Sequence, residues 1–231
     1  MKSEDTILAA IAGFVDTLSF VALFGLFTAH VTGNFVLIGA GVAGYGRGIF
    51  LKLIVFPAFV GGVVFSSLLV RSLPERHARQ GARLLHAVQA ALMFGFCVAG
   101  VWAMPVSQPD SLPAIVAGML GGIAMGVQNA HSRLIQRPGV PNTVMTGNVT
   151  QAVLDVVDML SAGTADSVRA AARARFAKMM PAIAAFAIGA VAGALGFRYA
   201  GFWALLGPAC ALAWLAATTG EHERATAAGR V

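Results

Sequence analysis

Long stretches without charged residues are the feature that most limits which folds this chain can adopt. Six of them contain no Asp, Glu, Lys or Arg: 17–46, 53–70, 84–109, 111–130, 179–197 and 199–220. A helix needs about 20 apolar residues to cross the hydrocarbon core of a bilayer. Charged residues make up 11% of the chain, whereas soluble domains contain about 25%. The sequence therefore predicts an all-α polytopic membrane protein.

The tripeptide Thr-Gly-Asn occurs twice, at 32–34 and 146–148, each time before an apolar segment too short to cross a bilayer. The segments that precede the two motifs, AAIAGFVDTLS and GGIAMGVQNAHS, are similar to each other. Further along, Pro57 and Pro181 each begin an apolar segment rich in small residues. The common order of these matches indicates an internal duplication.

We place the boundary between the repeats in the Pro-rich stretch 105–113, so that they comprise residues 1–108 and 109–231. Each repeat is predicted to contain three spans, near 6–27, 49–70 and 84–104 in the first and near 112–130, 179–197 and 199–218 in the second. Each also contains a short segment, at 33–44 or 147–161. These segments either cross the membrane, which gives eight spans, or enter and return, which gives six.

The distribution of lysine and arginine favours six spans, because short cytoplasmic loops collect these residues. With six spans and both termini in the cytoplasm, 13 of the 16 lie on the cytoplasmic side, whereas eight spans give an unbiased 9 and 7. Three spans per repeat invert the second repeat relative to the first. The prediction is six transmembrane helices plus two short re-entrant or broken helices, as two inverted-topology three-span repeats.

Two inverted half-helices would bring their N-termini together near the middle of the membrane. The first N–H groups of a helix lack backbone partners and carry a partial positive charge. A broken helix survives in hydrocarbon only where it is buried in protein or lines a cavity. The residues predicted to cap these ends or contact a solute are Thr32, Gly33, Asn34, Thr146, Gly147 and Asn148. Alternatively, each motif is only a capped helix start packed against a neighbour.

Polar side chains within the spans are further candidates for solute binding. Asp16 lies inside the first span, where a carboxylate is costly and tends to mark an ion, proton or substrate path. The alternative is a hydrogen-bonded Asp that fixes helix packing. His30 could titrate near neutral pH. The matching region of the second repeat offers Gln128 and Asn129, and this asymmetry favours one polar solute at the repeat interface.

Several other polar residues are interpreted as structural. His131 is expected to be solvated at a cytoplasmic helix end, and His86 and Gln89 to be interfacial. Asp155 and Asp158 lie on one side of the second short helix and are assigned to a solvated face, with a gate as the alternative.

Two further patterns concern lipid and packing. The basic segment SVRAAARARFAK at 167–178 is predicted to be an interfacial helix on anionic lipid. Glycines at every fourth residue permit close helix contact in membranes; they are Gly118, Gly122 and Gly126, and Gly189 and Gly193.

The segments GFVDTLSFVALFGLFTAHVTGN, GMLGGIAMGVQNAHSRL and NTVMTGNVT resemble the YoaK-type (DUF1275) family of bacterial integral membrane proteins, which has no assigned function. The resemblance covers nearly the whole chain. It implies a six-span protein of the bacterial inner membrane, and it supplies neither a substrate nor a catalytic residue.

Motifs of soluble catalytic sites are missing from the sequence. It contains no H-E-x-x-H, G-x-S-x-G or P-loop motif, so no catalytic residue is predicted. Cys97 and Cys210 both lie within spans, which argues against disulfides and a metal cluster, and no metal or cofactor is predicted. The net charge of +6 is explained by membrane topology rather than by nucleic acid.

The sequence thus favours a transporter or channel for a small polar or anionic solute. The half-helix dipoles favour an anionic or neutral solute, whereas Asp16 favours proton coupling or a cation. Two alternatives stay open: a membrane scaffold or assembly protein without a pathway, and an intramembrane enzyme that acts on lipid through Asp16 and His30. The expected partners are the lipid bilayer and the solute, and a homo-oligomer is left open.

Overall fold

The computed structural model describes residues 2–73, 78–135 and 145–219. The regular secondary structure of these residues is helical. The α-helices are α1 (Lys2–Ala22), α2 (Gly33–Val42), α3 (Ile49–Arg71), α4 (Ala78–Ala103), α5 (Leu112–Leu134), α6 (Met145–Leu160), α7 (Asp166–Ala200) and α8 (Leu206–Thr218). A 3-10 helix, Gly201–Leu205, joins the last two.

Five helical stretches in the described part of the chain are long and apolar enough to cross a membrane. They are Glu4–Ala22, Ile49–Arg71, Gln80–Ala103, Leu112–Leu134 and Asp166–Thr218. The fifth contains 53 residues and includes both α7 and α8, which separate at Gly201, where φ is +58°. Large apolar side chains such as Ile188 and Val191 are exposed on these helices, as expected for a surface that faces lipid. The predicted all-α polytopic membrane protein is confirmed at this level.

The two short helices lie where the sequence places them. α2 contains 10 residues and α6 contains 16, which correspond to about 15 and 24 Å at 1.5 Å per residue. Both are shorter than the roughly 20 residues that a span requires. Their ends agree with the predicted segments to within two residues.

α1 ends earlier than predicted, at Ala22 instead of near residue 27. Phe24 and Gly25 have φ of 54° and 76°, and the Gly25 N–H donates to the carbonyl of Phe20 over 2.9 Å. Left-handed residues with such a bond are a common way to end a helix. Residues 23–32, between the two helices, form the α1–α2 loop, which folds back against the end of α1.

The segment 167–178, predicted to be an interfacial helix on anionic lipid, is helical but is not a helix of its own, and its contact with lipid stays a prediction. These residues form the first part of α7, which continues through Pro181 to Ala200. The neighbouring α6 packs along this part of α7, and its buried Asp155 accepts hydrogen bonds from Arg175. The basic segment is therefore held by protein contacts that a local sequence pattern does not reveal.

Contacts between helix ends give the relative directions of the helices. Glu4 Oε1, at the start of α1, lies 3.6 Å from Nε2 of His131, near the end of α5. Leu26, beyond the end of α1, packs against Gly118 near the start of α5. α1 and α5 are therefore antiparallel.

Similar contacts give the directions of α3 and α4. Lys52, in the first turn of α3, donates to the carbonyl of Phe24 over 2.7 Å, so α3 runs opposite to α1. His86, near the start of α4, lies 3.1 Å from Glu4, so α4 runs with α1. We call the end of the bundle that contains Glu4 the Glu4 end, and the opposite end the Lys52 end.

α7 and α8 complete the arrangement. Gly189 and Gly193 of α7 pack against Ala10 and Phe14 of α1, so these two helices are parallel. The 3-10 segment before α8 packs on the end of α4, so α8 runs opposite to α4. Consequently α1, α4 and α7 run towards the Lys52 end, and α3, α5 and α8 run towards the Glu4 end.

Glycines create the closest helix contacts, as predicted from their spacing. A Cβ at Gly13 of α1 would overlap the carbonyl oxygen of Phe186 in α7, and a Cβ at Gly189 of α7 would overlap that of Ala10 in α1. Two backbones can approach this closely only where a side chain is missing.

The same reciprocal contact joins α3 and α5. A Cβ at Gly126 of α5 would overlap the carbonyl oxygen of Phe59, and a Cβ at Gly62 of α3 would overlap that of Ile123. Each α5 residue lies 113 positions after its counterpart in α1, and each α3 residue lies 127 positions before its counterpart in α7. The two helix pairs therefore touch at corresponding atoms.

Candidate functional site

Asp16 forms the centre of a buried polar cluster in the last third of α1. Its Oδ1 accepts hydrogen bonds from the backbone N–H groups of Thr28 at 2.8 Å and Ala29 at 2.7 Å. Its Oδ2 lies 2.7 Å from Nδ1 of His30. The side chain is buried, so these contacts hold the α1–α2 loop against α1.

His30 connects this cluster to the second half of the chain. Its ring contacts Phe186 of α7 edge-on, with centroids 5.4 Å apart and the planes at 82°. The side chain is 32% exposed, whereas that of Asp16 is 5% exposed. An ionisable pair within a membrane bundle thus has one buried member and one member that reaches the surface.

Hydroxyl groups extend the polar layer, with a counterpart in α5. Ser19 Oγ donates to the carbonyl of Asp16 at 3.0 Å and lies 3.3 Å from Oγ1 of Thr28. Ser132 Oγ donates to the carbonyl of Asn129 at 2.9 Å. The same local hydrogen bond therefore follows the acid in α1 and the amide in α5.

The first Thr-Gly-Asn motif does not cap α2 through Thr32, so that part of the prediction is wrong. The Thr32 side chain is exposed and makes no capping hydrogen bond. The backbone N–H groups of Gly33, Asn34 and Phe35 instead donate to the carbonyls three residues earlier, at 2.8, 3.2 and 3.2 Å. These N–H groups, which were expected to be available to a solute, are engaged in a 3-10 turn.

Asn34 stabilises the loop rather than the helix end. Its Oδ1 accepts from the N–H of Phe27 at 2.9 Å, and its Nδ2 donates to the carbonyl of Phe27 at 2.7 Å. Both polar atoms of this buried side chain therefore bind the backbone N–H and carbonyl of one residue, Phe27, in the α1–α2 loop.

In the second motif, Thr146 and Gly147 are exposed and Asn148 is buried. Residues 136–144, which precede it, lie outside the described part of the chain. α6 packs against α7, as α2 packs against α3. The expectation that the two half-helix N-termini face each other stays a prediction.

Gln128 lies away from Asp16. It donates to the carbonyl of Leu8 at 2.8 Å and accepts from Nε2 of Gln89 at 2.7 Å. Leu8 precedes Asp16 by two turns, about 12 Å along α1. Asn129 donates to the carbonyl of Met125 at 3.0 Å within its own helix. The structure thus brings together Asp16 and His30, and it places Gln128 nearer the Glu4 end.

A second ionisable cluster, which the sequence analysis missed, lies at the Glu4 end. Oε1 of Glu4 lies 3.1 Å from Nε2 of His86 and 3.6 Å from Nε2 of His131. The two imidazole rings stack with centroids 4.5 Å apart and an interplanar angle of 33°. Both histidines are buried, and so is Gln89. The interpretation of His131 as solvated is therefore wrong. The interfacial position of His86 and Gln89 stays a prediction, although their side chains face protein.

A pattern that could have revealed this cluster is present in the sequence. His86 and Gln89 are three residues apart in α4, and Gln128 and His131 repeat the pair in reverse order in α5. In neighbouring antiparallel helices this order sets histidine against histidine and amide against amide.

Asp155 is also more buried than predicted. Its Oδ1 accepts from Nε and Nη2 of Arg175 at 2.9 and 2.6 Å and from Gln151 at 3.1 Å. The solvated-face interpretation is wrong for Asp155, which is fully buried, and correct for Asp158, whose side chain is 42% exposed.

Long apolar helices that surround buried ionisable clusters define a polytopic helical membrane protein. The chain belongs to the family described as "Protein of unknown function (DUF1275)", which matches residues 6–218. The resemblance seen in the sequence is thereby confirmed.

The chain is also similar to the UPF0700 transmembrane protein YoaK of Bacillus subtilis (strain 168). The two are 26% identical over 155 residues, which cover 65% of this chain and 65% of that relative. No solved structure matches the chain.

Proposed function

We propose that this protein is a six-span inner-membrane transporter for a small polar solute and that Asp16 and His30 handle the coupled proton. The observation that carries the proposal is this ionisable pair, joined at 2.7 Å, with Asp16 inside a span and His30 at the contact between α1 and α7. Ionisable residues are rare inside membranes and mark ion, proton or substrate paths.

The helix directions support an inverted repeat. α1, α3 and α4 run in the opposite directions to their counterparts α5, α7 and α8, and the glycine contacts of the two pairs correspond residue by residue. Secondary transporters are often built from inverted repeats, with their sites at the repeat interface. His30 lies at such an interface, because it bonds to Asp16 of one repeat and packs on Phe186 of the other.

The antiparallel arrangement of α1 and α5 supports six spans rather than eight. If α2 crossed the membrane, α1 and α5 would point the same way. Exposed arginines at the Glu4 end, including Arg71, Arg83 and Arg133, favour a cytoplasmic location for that end. On this basis α2 is a re-entrant helix on the periplasmic side and α6 its cytoplasmic counterpart.

The hydrogen bonds at the start of α2 bear on the class of solute. Its first N–H groups donate to His30, Val31 and Thr32 carbonyls, which weakens the case for an anion held at this helix end. We therefore favour a neutral polar solute exchanged with protons, and exposed Thr32 is the residue of this motif best placed to contact it.

A membrane scaffold without a pathway is the second candidate. It is favoured by the hydrogen bonds of Asp16 and Asn34, which both bind backbone groups of the α1–α2 loop. In that case the two side chains serve only to fold the loop. The third candidate, an intramembrane enzyme, would use Asp16 and His30 as a general base pair, and lipid hydrolysis in the same vesicles would reveal it.

Solute flux in proteoliposomes with an imposed pH gradient tests the proposal. A panel of polyols, amides, small anions and cations is offered to the wild type, Asp16→Asn, His30→Gln and the control Asp110→Asn, which changes an exposed loop carboxylate. Asn can keep the acceptor for the N–H groups of Thr28 and Ala29 while it removes the charge. We expect the wild type and the control to respond to the gradient and Asp16→Asn to lose that response.

Two results would contradict the coupling role. One is a flux and pH response of Asp16→Asn that match those of the wild type. The other is no movement of any solute by the wild type, together with an effect of Asp16→Asn on thermal stability alone. The second result would favour the scaffold.

A further inference from the structure

We propose that Glu4, His86 and His131 form a binding site for a divalent transition metal ion, with zinc as the best fit. This site is separate from the Asp16–His30 pair and does not depend on the transport proposal. Its three residues come from α1, α4 and α5, and each offers one ligand atom within 4.8 Å of the other two.

The separations of the ligand atoms fit tetrahedral coordination. Zinc binds imidazole nitrogen and carboxylate oxygen at roughly 2.0–2.2 Å, so neighbouring ligands of a tetrahedral ion lie about 3.3–3.5 Å apart. Oε1 of Glu4 lies 3.1 Å from Nε2 of His86 and 3.6 Å from Nε2 of His131. The ligand nitrogens of His86 and His131 lie within 4.8 Å of each other, so a bound ion would draw the two imidazoles to the tetrahedral separation.

The types of ligand atom at this site indicate which metal ions it would bind. Two imidazoles and one carboxylate suit zinc and other first-row transition ions, whereas calcium and magnesium prefer oxygen ligands alone. Three protein ligands leave a fourth position for water or another ligand, as in zinc sites that are not purely structural. The carboxylate also supplies a negative charge next to the ion.

The surrounding amides fix the three helices that carry the ligands. Gln89 of α4 donates to Gln128 of α5, and Gln128 donates to the carbonyl of Leu8 in α1. This chain of bonds lies one turn from the histidines and sets the register of all three helices. Supporting hydrogen bonds of this kind hold metal ligands in place. Glu4 is 15% exposed, so the site can be reached from the Glu4 end.

Metal binding is measured on the full-length protein in detergent, purified through a C-terminal tag that contains no histidine. The protein is stripped with a chelator, dialysed and titrated with Co²⁺, whose visible absorption reports coordination, and then with Zn²⁺ as competitor. We expect one ion per chain. We also expect Glu4→Gln, His86→Asn and His131→Asn to lower the affinity by about 100-fold, while the control His30→Gln retains it.

X-ray absorption of the zinc-loaded wild type gives a test that needs no variant. We expect scattering from two imidazoles and from oxygen. Sulfur scattering from Cys97 or Cys210 would overturn the proposal, and so would the lack of saturable binding by the wild type. Wild-type affinity in correctly folded His86→Asn and His131→Asn would overturn it as well, and would leave the three residues as a hydrogen-bonded cluster.

Discussion

Gly62 of α3 lies so close to the carbonyl oxygen of Ile123 in α5 that a Cβ at position 62 would overlap it. Its neighbour Gly61 has nothing within 4 Å of the equivalent position. Two consecutive glycines of one helix therefore have different roles, since only one of them permits close approach of the partner helix.

Gly62→Ala should destabilise the protein, while Gly61→Ala serves as the matched control. The added methyl group at position 62 must push α3 away from α5, and overpacking of this kind costs about 1–3 kcal/mol. At position 61 the methyl group faces open space, and the better helix propensity of Ala contributes about 0.5–1 kcal/mol in its favour. Thermal unfolding in detergent, followed by size-exclusion chromatography, measures both. Equal stability of the two variants would contradict the glycine contact.

Asn34→Ala should destabilise the protein, whereas Thr32→Val should not. Removal of the Asn34 amide leaves the N–H and carbonyl of Phe27 without their partner, at a cost of about 2 kcal/mol. Thr32 is exposed and makes no capping bond, so we expect a change below about 0.5 kcal/mol. The same two variants in the flux assay separate loop folding from solute contact. A Thr32→Val protein with normal stability and reduced flux would identify a solute contact.

Arg175→Ala should lower stability more than Arg173→Ala. The first change leaves the buried carboxylate of Asp155 without its ion-pair partner. We expect a loss of about 2 kcal/mol, less than the 3–5 kcal/mol for a fully buried pair, because the Arg175 side chain is 46% exposed. Arg173 is exposed on the same helix and controls for the loss of a positive charge. Asp155→Asn should recover part of the loss in the Arg175→Ala background, and an additive effect would contradict the pairing.

Cysteine labelling in intact cells should distinguish the two ends of the bundle. On a background without Cys97 and Cys210, Gln108→Cys at the Lys52 end should react with a membrane-impermeant thiol reagent. Ser167→Cys at the start of α7 should react only after the membrane is permeabilised. Both positions are exposed to solvent in the structure. Labelling of position 167 from the periplasm would reject the six-span topology.

Local sequence patterns predicted most helices, because a long apolar segment in lipid must satisfy its backbone hydrogen bonds internally and therefore forms a helix. Uncharged stretches gave the spans, and the Thr-Gly-Asn motifs gave the starts of α2 and α6. The end of α1 was missed because hydrophobicity continues through Phe24 and Gly25, where only the backbone angles change. The burial of Asp155 was missed because its partner Arg175 lies in another helix.

The polar clusters form through packing between helices, which the sequence pattern within any one helix does not reveal. Asp16 and His30 were each suspected, and their contact needs the reversal of the α1–α2 loop. His86 and His131 are 45 residues apart, and they meet only because α4 and α5 pack antiparallel at one register. A sequence shows which side chains are costly in lipid, whereas their partners depend on three-dimensional contacts.

The pairing of α1 with α7 has a consequence for the synthesis of the protein. Ala10 meets Gly189, which leaves the ribosome 179 residues later. At 5–20 residues per second this delay is roughly 10–40 s. During that time the face of α1 around Gly13 lacks the helix that it packs against in the complete protein. A nascent chain that stops before α7 therefore keeps this face of α1 without its partner, so the first helix completes its packing only after most of the chain has been made.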